Sequence, residues 1–313
     1  MQYLGIDVGG TSIKAGLITE TGQVLESRKI PTITDDLSAL VSTLTELVRE
    51  FQKSSAIERI GIGIPGLHSS KNQVIETSPN IRALHHVNLG QLVADQVHIR
   101  TVSENDANAA VYAEFTCGAG AGLRHVAHLT LGTGLGSGLV LNGSLFVGTS
   151  GYAAELGHTI VSAPTWENGG GRLCTCGSRG CVEAYLSATG IVRTAEELMK
   201  QAPESLLHNA EWPLTSERIF EIATKGDETA QHVFTETGRY LGIVCANLIN
   251  LLNLEMIILG GGILAAGGLL RESTIDSAKR HAFPSSYADC QIVLSKLWPN
   301  AGMIGAAMLA RDR

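Results

Sequence analysis

Short apolar segments alternate with longer amphipathic segments along this chain. Near the N-terminus, YLGIDVGG (residues 3–10), IKAGLIT (13–19) and QVLESRKI (23–30) are rich in β-branched and apolar residues. A glycine turn separates the first two segments. This pattern predicts three consecutive strands, the first two joined as a hairpin.

The segment after these strands has helical spacing. Its apolar residues recur at intervals of three and four, at Leu37, Leu40, Val41, Leu44, Leu47, Val48 and Phe51. The pattern predicts an amphipathic helix, with Thr34 as the expected N-cap and two aspartates in the first turn.

The same alternation continues through the chain. RIGIGIPG (59–66) and IRTVSEND (99–106) predict buried strands, and ANAAVYAEF (107–115) predicts a helix entered from Asp106. Strands that alternate with helices indicate an α/β protein. The longest apolar helical stretch, residues 240–254, is interrupted by three asparagines, so no membrane-spanning segment is expected.

Composition narrows the class of protein. The chain has 313 residues, enough for two domains, with 44% hydrophobic and 17% charged residues, as in soluble globular proteins. A net charge of −7 without a basic stretch argues against nucleic acid as a partner. The N-terminus, MQYLGIDVGG, does not resemble a signal peptide. We therefore expect a cytoplasmic protein without membrane or nucleic-acid partners.

Two segments have the same sequence pattern. GIDVGGTSIKAGLI (5–18) and LTLGTGLGSGLVL (129–141) each place a glycine turn with a threonine between two apolar strands. We call residues 9–11 the first glycine loop and residues 132–134 the second glycine loop. Backbone amides in such turns can surround a phosphate, although a plain tight hairpin would show the same pattern.

Side chains near these loops fit phosphate binding. Thr11 and Thr133 offer hydroxyl groups, Lys14 offers a positive charge, and Asp7 is a candidate for orienting hydrated Mg²⁺, or alternatively a turn cap. The candidate phosphate-binding residues are Asp7, Gly9, Gly10, Thr11, Lys14, Gly132, Thr133, Gly134 and Gly136.

A third glycine cluster follows the apolar segment NLEMIILGGG. Gly260, Gly261 and Gly262 end a predicted strand, where bare backbone would suit an adenine or its ribose. A strand-to-helix turn is the alternative. Together with the two upstream loops, the cluster favours nucleotide binding.

The segment SENDANAA places three polar side chains at a strand end. Glu104, Asn105 and Asp106 stand where active-site residues of open α/β sheets lie. Asp106 is either a helix N-cap or a general base that accepts a proton from a sugar hydroxyl during phosphoryl transfer. As a base, it is expected to have a pKa near the ordinary value of about 4.

Three of the six cysteines crowd into GRLCTCGSRGCVEAY (171–185), a polar loop with little need for small apolar side chains. A disulfide, an iron–sulfur cluster, a nucleophilic thiol and a zinc site are the alternatives. A disulfide would leave one thiol unpaired. The remaining cysteines, Cys117, Cys245 and Cys290, lie in segments where packing explains them.

These motifs, in this order, resemble the ROK family of bacterial sugar kinases and repressors, most closely its ATP-dependent glucokinases. The resemblance rests on GIDVGGT, ENDANAA, TLGTGLGSGLVLNG, AAELGH and CTCGSRGCVEAY, and extends from Gly5 to the C-terminus. It implies two actin- or hexokinase-like (ribonuclease H-like) α/β domains with a cleft between them. The first would span residues 1–118 plus a C-terminal helix at about 299–313, and the second residues 119–298.

The resemblance also implies the ligands. One structural Zn²⁺ would be bound by His158, Cys174, Cys176 and Cys181. The hexose would be bound by Asn80, Asn105, Asp106, Glu155, His158 and Glu183. Asp106 would be the catalytic base that activates the 6-hydroxyl toward ATP, with Mg²⁺, and the assembly would be a homodimer or homotetramer.

Several functions stay open within the family. Glucose is the expected substrate, while fructose, mannose and N-acetylhexosamines are alternatives. The segment SPNIRALHHVNL lacks the tryptophan that the family more commonly has near Ala83–His85. Repressors of the family carry an additional N-terminal winged-helix domain, and here the first glycine-loop motif already begins at Gly5, so we expect a kinase rather than a regulator.

Overall fold

A computed structural model describes residues 1–162 and 170–313 of the chain. Its strands are β1 Gln2–Val8, β2 Ser12–Thr19, β3 Val24–Pro31, β4 Arg59–Ile64, β5 Leu67–His68, β6 Ile75–Thr77, β7 Thr101–Asn105, β8 Val126–Leu131, β9 Leu135–Leu141, β10 Ser144–Leu145, β11 Met256–Gly260 and β12 Gln291–Leu294. Its α-helices are α1 Leu37–Gln52, α2 Leu89–Val97, α3 Asp106–Cys117, α4 Glu183–Leu186, α5 Ala188–Met199, α6 Ser216–Thr224, α7 Glu228–Leu252, α8 Gly268–His281, α9 Pro284–Ala288 and α10 Ala301–Asp312. The predicted α/β class is confirmed.

Two compact units make up the chain. The first comprises residues 1–128, 137–154 and 295–313, and the second residues 129–136 and 155–294. One five-stranded sheet has the order β3-β2-β1-β4-β7, and the other has the order β10-β9-β8-β11-β12. In the described residues, no helix is both long enough and apolar enough to cross a membrane.

The first unit is built on the sheet around β1. Strand β1 is antiparallel to β2 and parallel to β4, which is parallel to β7. Alternate residues of β1 face opposite sides of the sheet. Leu4, Ile6 and Val8 pack in one core with residues of α1 and α2. Tyr3 packs in another with α3 and α10.

Glycines allow α10 to lie directly against this sheet. A Cβ atom at Gly5 of β1 would stand 1.9 Å from the carbonyl oxygen of Met303, and one at Gly61 of β4 would stand 1.8 Å from that of Ala306. Both positions are therefore closed to any side chain. Because side chains alternate along β1, Asp7 lies on the same face of the sheet as Gly5, toward α10.

The second unit is mainly helical, and its longest helix, α7, packs against α8. A Cβ at Gly238 would stand 2.5 Å from the carbonyl oxygen of Leu270, and one at Gly242 would stand 2.5 Å from that of Thr274. The Ser277 hydroxyl donates to the carbonyl oxygen of Arg239 at 2.8 Å. Small residues one turn apart thus bring the two helix backbones together.

Two details differ from the sequence-based expectations. The N-cap of α1 is Asp36, whose side chain accepts from the Ala39 amide, so the prediction of Thr34 was wrong. Asp36 directly precedes the first helical residue, where its carboxylate reaches the exposed amides. The first unit also includes residues 119–128 and 137–154, which the predicted boundaries assign to the second domain. Strand β9 packs on α3: a Cβ at Gly138 would stand 2.7 Å from the carbonyl oxygen of Ala107.

Candidate functional site

The parallel strands of the first unit bring two carboxylates together. Asp7 of β1 is paired with Lys14 of β2 on one side and with Gly63 of β4 on the other. A Cβ at Gly63 would stand 3.6 Å from the Cα of Asp106, the residue after β7. The missing side chain at Gly63 leaves Asp7 and Asp106 close enough to repel each other.

Burial and mutual repulsion change the ionisation of this pair. The pKa of Asp7 is raised to about 6, chiefly by loss of solvent and secondly by the charge of Asp106, while Lys14 acts to lower it. Burial also raises the pKa of Asp106, opposed by the backbone amide of Ala107. The expectation of an ordinary pKa for Asp106 was therefore wrong, because the strand end is shielded from water. Two such carboxylates favour a cation or a proton beside them.

Asn105, rather than Asp106, caps helix α3. The Asn105 side-chain oxygen accepts from the amides of Ala107 at 2.9 Å and Asn108 at 3.0 Å, and its Nδ2 donates to the carbonyl oxygen of Gly66 at 3.0 Å. Asp106 is the first residue of α3. The capping role that competed with a chemical role for Asp106 is thus filled by its neighbour.

A buried hydrogen-bond network, which no local motif predicted, holds this strand end. Glu104 is 5% exposed. Its carboxylate accepts from the Asn105 amide at 3.0 Å, from Nδ2 of Asn108 at 3.1 Å and from the guanidinium of Arg313 at 2.9 Å. Arg313 is too distant in sequence to be recognised as a partner.

The first glycine loop is held by the end of β3. The Thr32 hydroxyl donates to the carbonyl oxygen of Gly9 at 2.6 Å, and the Thr32 amide donates to that of Thr11 at 3.1 Å. A Cβ at Gly10 would stand 3.0 Å from the Cβ of Asn80. Asn80, predicted to bind sugar, thus lies beside the predicted phosphate loop.

Helix α10 contributes a residue to the surroundings of Asp7. A Cβ at Gly302, in its first turn, would stand 2.9 Å from the carboxyl carbon of Asp7. The N-terminal end of a helix carries partial positive charge, which favours a nearby carboxylate. Lys14 contacts the same region, since its Nζ donates to the carbonyl oxygen of Pro299 at 3.0 Å. Sequence reasoning missed Gly302 because no local motif marks it.

In the second unit, His158 and three cysteines form a cluster. We call His158, Cys174, Cys176 and Cys181 the metal cluster; their ligand atoms all lie within 4.8 Å of one another. The Sγ atoms of Cys176 and Cys181 are 3.7 Å apart, as are Cys174 Sγ and His158 Nδ1. Tetrahedral zinc–thiolate geometry puts sulfur atoms about 3.8 Å apart. The residues therefore fit Zn²⁺.

Arg172 holds the start of the loop that carries Cys174, Cys176 and Cys181. The guanidinium donates to Glu197 at 2.6 Å and to the carbonyl oxygens of Ala184 at 3.2 Å and Gly190 at 3.0 Å. It also lies over the ring of Tyr185. These contacts join the loop to α4 and α5.

The second glycine loop lies against Glu183. The Leu135 amide, directly after the loop, donates to Glu183 Oε2 at 3.0 Å. The Ala188 amide donates to the carbonyl oxygen of Gly132 at 2.9 Å. Thr133 is exposed, and Gly136 follows within β9. Residues at the start of α4 and α5 thus support the loop.

The third glycine cluster lies beside the strand that leads into this loop. Gly260 ends β11, and Gly261 has a φ of 102°, a conformation that favours glycine. A Cβ at Gly261 would stand 2.0 Å from the carbonyl oxygen of Leu131. Gly262 begins a short 3₁₀ helix. The cluster and the second glycine loop therefore share one end of the sheet.

The two predicted sugar-binding glutamates have different surroundings. Glu155 is exposed and precedes the 3₁₀ helix Leu156–His158 that carries a metal-cluster residue. Both oxygens of Glu183 have partners, Leu135 and the hydroxyl of Thr175. The roles assigned to both residues from the sequence stay predictions.

Comparison with known proteins places the chain in a family. The model of the ROK family matches residues 3–313. A glucokinase of Thermotoga maritima is 34% identical, over 100% of this chain and 98% of the relative. An N-acetylmannosamine kinase of Escherichia coli is 29% identical, over 99% of both chains.

A solved structure agrees over the full length. The ROK family glucokinase from Streptomyces griseus, in complex with glucose and AMPPNP, superposes with a TM-score of 0.85 at 33% identity, covering 100% of both chains. The resemblance seen in the motifs is confirmed: this chain belongs to the ROK family.

Proposed function

We propose that this protein is a sugar kinase that transfers the γ-phosphoryl group of ATP to the 6-hydroxyl of a hexose, with glucose as the expected substrate. The observation that carries the proposal is the pair of carboxylates, Asp7 of β1 and Asp106 after β7, on either side of Gly63 in the intervening strand β4. The glucokinase relatives support the choice of reaction and of glucose.

Asp106 is the proposed general base. Its capping role is taken by Asn105, and its position at the strand end suits a group that orients a hydroxyl and accepts its proton late in phosphoryl transfer. The raised pKa makes it a better proton acceptor than an ordinary aspartate. Asn105, directly before Asp106, and Asn80, beside the first glycine loop, are the proposed hexose-binding amides.

Asp7 is the proposed partner of Mg²⁺. A divalent cation would offset the repulsion from Asp106 and would supply charge neutralisation for the transferred phosphoryl group. The first and second glycine loops, with Thr11, Lys14 and Thr133, are the proposed phosphate-binding elements. Gly260, Gly261 and Gly262 are proposed to face the adenosine.

The metal cluster is proposed to hold a structural Zn²⁺. Three thiolates and one imidazole complete a tetrahedron, which leaves no open position for a substrate water. Glu155, His158 and Glu183 are proposed to reach the hexose from this cluster. A homodimer or homotetramer stays a prediction.

Phosphorylation of another hexose is the second candidate. The N-acetylmannosamine kinase relative and the segment around Ala83–His85, which lacks the tryptophan more common in the family, favour it. A panel of hexoses with ATP and Mg²⁺ distinguishes the candidates by their kcat/KM.

The substitution Asp106→Asn tests the mechanism. It keeps the shape but removes the proton acceptor, so turnover should fall about 10²- to 10⁴-fold while hexose still binds. Asp95→Asn, at an exposed aspartate of α2, is the matched control. Near-normal turnover in Asp106→Asn would exclude Asp106 as the base.

A further inference from the structure

Contacts from two segments of the metal cluster converge on one residue, Leu135, at the end of the second glycine loop. From one side, Glu183, two residues after Cys181, accepts the Leu135 amide at 3.0 Å. From the other, Gly157, beside His158, lies so near that its Cβ would stand 2.6 Å from the Leu135 carbonyl oxygen. Both backbone polar groups of Leu135 thus adjoin segments that carry metal-cluster residues.

Glu183 is also tied into the cysteine loop. Its Oε1 accepts from the hydroxyl of Thr175 at 3.3 Å, and Thr175 stands between Cys174 and Cys176. The carboxylate therefore bridges the cysteine loop and the glycine loop, one oxygen to each.

The close approach of the Glu183 carboxylate to the second glycine loop depends on Gly134. A Cβ at Gly134 would stand 2.6 Å from Glu183 Oε2. Only a glycine lets the carboxylate come close enough to accept the next amide. This close approach sets where the loop backbone can lie.

From these contacts we infer that Glu183 is a positioning residue which ties the metal cluster to the second glycine loop, so that the bound metal holds that loop in its nucleotide-binding shape. A metal ion would cross-link the segments that carry His158 and Cys181, and both segments adjoin Leu135. Without the cross-link, the Glu183 carboxylate and Gly157 could move apart and release the Leu135 amide. The consequence for nucleotide binding rests on the proposed function.

Thr175 offers a perturbation that leaves all four metal-cluster residues in place. Thr175→Val removes the hydroxyl donor with little change of shape, and Thr175→Ser restores it. Zinc content, measured by elemental analysis, confirms that both variants still hold the metal. Glu183→Ala removes the bridge itself.

Amide hydrogen exchange of the full-length protein measures directly whether the metal cluster stabilises the second glycine loop. Removing zinc with a chelator should speed exchange of the peptide that covers residues 130–137 about tenfold or more, while β11 of the same unit stays protected. Zinc-loaded Thr175→Val should show part of this increase, and Thr175→Ser should match the unsubstituted protein. In Glu183→Ala, exchange should be fast with or without zinc.

Two results would overturn the inference. One is unchanged exchange of residues 130–137 in zinc-loaded Thr175→Val. Because this variant keeps its zinc, the result holds even if zinc removal unfolds the whole second unit and exposes β11. The other is a zinc-dependent difference that persists in Glu183→Ala.

Affinity for ADP, measured by calorimetry, separates this inference from the proposed function. Zinc-loaded Thr175→Val should bind ADP several-fold more weakly than Thr175→Ser. Equal ADP affinities of the two variants, together with faster exchange of residues 130–137 in Thr175→Val, would overturn the effect on nucleotide binding. They would still support the structural link between the metal cluster and the second glycine loop. Absence of ADP binding in the unsubstituted protein would overturn the proposed function instead.

Discussion

Replacing Asp7 by asparagine should stabilise this protein at neutral pH while abolishing the proposed Mg²⁺-dependent kinase activity. The pKa of Asp7 is raised from 3.8 to about 6, chiefly because the side chain is removed from solvent and secondly because Asp106 repels it. Ionised Asp7 is therefore a cost in the folded state that a neutral amide of the same shape avoids.

The magnitude follows from the shift. Each pKa unit corresponds to about 1.4 kcal/mol, so the rise from 3.8 to about 6 corresponds to at most about 3 kcal/mol. The side chain keeps some contact with solvent. We therefore expect the free energy of unfolding to rise by about 1–3 kcal/mol above pH 6.

The pH dependence has a definite sign. Between pH 3.8 and about 6 the folded protein binds more protons at Asp7 than the unfolded chain, so its stability falls as pH rises through this window. The gain from Asp7→Asn should therefore be small near pH 4, should grow up to about pH 6, and should then stay constant.

Urea titrations between pH 4 and pH 8, without added Mg²⁺ or nucleotide, measure this gain. Asp95→Asn is the control, and its effect should not vary in this way because Asp95 is exposed. In an Asp106→Asn background the gain should shrink, since one source of repulsion is gone. A loss of stability at pH 7.5, or a gain that does not change with pH, would refute the reasoning.

Three further outcomes are expected. Gly10→Val should weaken ATP-analogue binding in calorimetry, because the branched side chain would stand within the first glycine loop and would meet Asn80; normal nucleotide affinity would mean that the loop is only a hairpin turn. Cys176→Ser should reduce zinc, measured by elemental analysis, from about one ion per chain toward none and should lower the Tm; full occupancy with unchanged Tm would contradict the site. Arg172→Ala should lower the free energy of unfolding by about 2–4 kcal/mol in urea titrations, since it removes charged hydrogen bonds to Glu197 and to two backbone carbonyls; a change below 0.5 kcal/mol, about that of an ordinary surface substitution, would contradict this.

Local patterns determined much of this protein. Alternating apolar residues predicted the first three strands, and the spacing of leucines and valines predicted α1. Such signals depend on neighbours in sequence, since the periods of helix and strand decide which face is buried. The crowding of three cysteines marked that loop from the residues alone, whereas the family resemblance predicted the four-residue metal cluster that includes His158.

Tertiary structure alone decided the environment of each site residue. The closeness of Asp7 to Asp106 comes from the register of β1, β4 and β7 and from the missing side chain at Gly63. Their raised pKa values follow from burial, which no local motif reports.

The same limit explains what the sequence left open. Asn105 and Asp106 are both good N-caps, and only the path of the chain showed that Asn105 takes that role. Gly302, beside Asp7, and Leu135, beside Glu183, are joined to their partners by long-range packing. Residues distant in sequence come into contact through strand pairing and helix packing, and the sequence near either residue does not predict that contact.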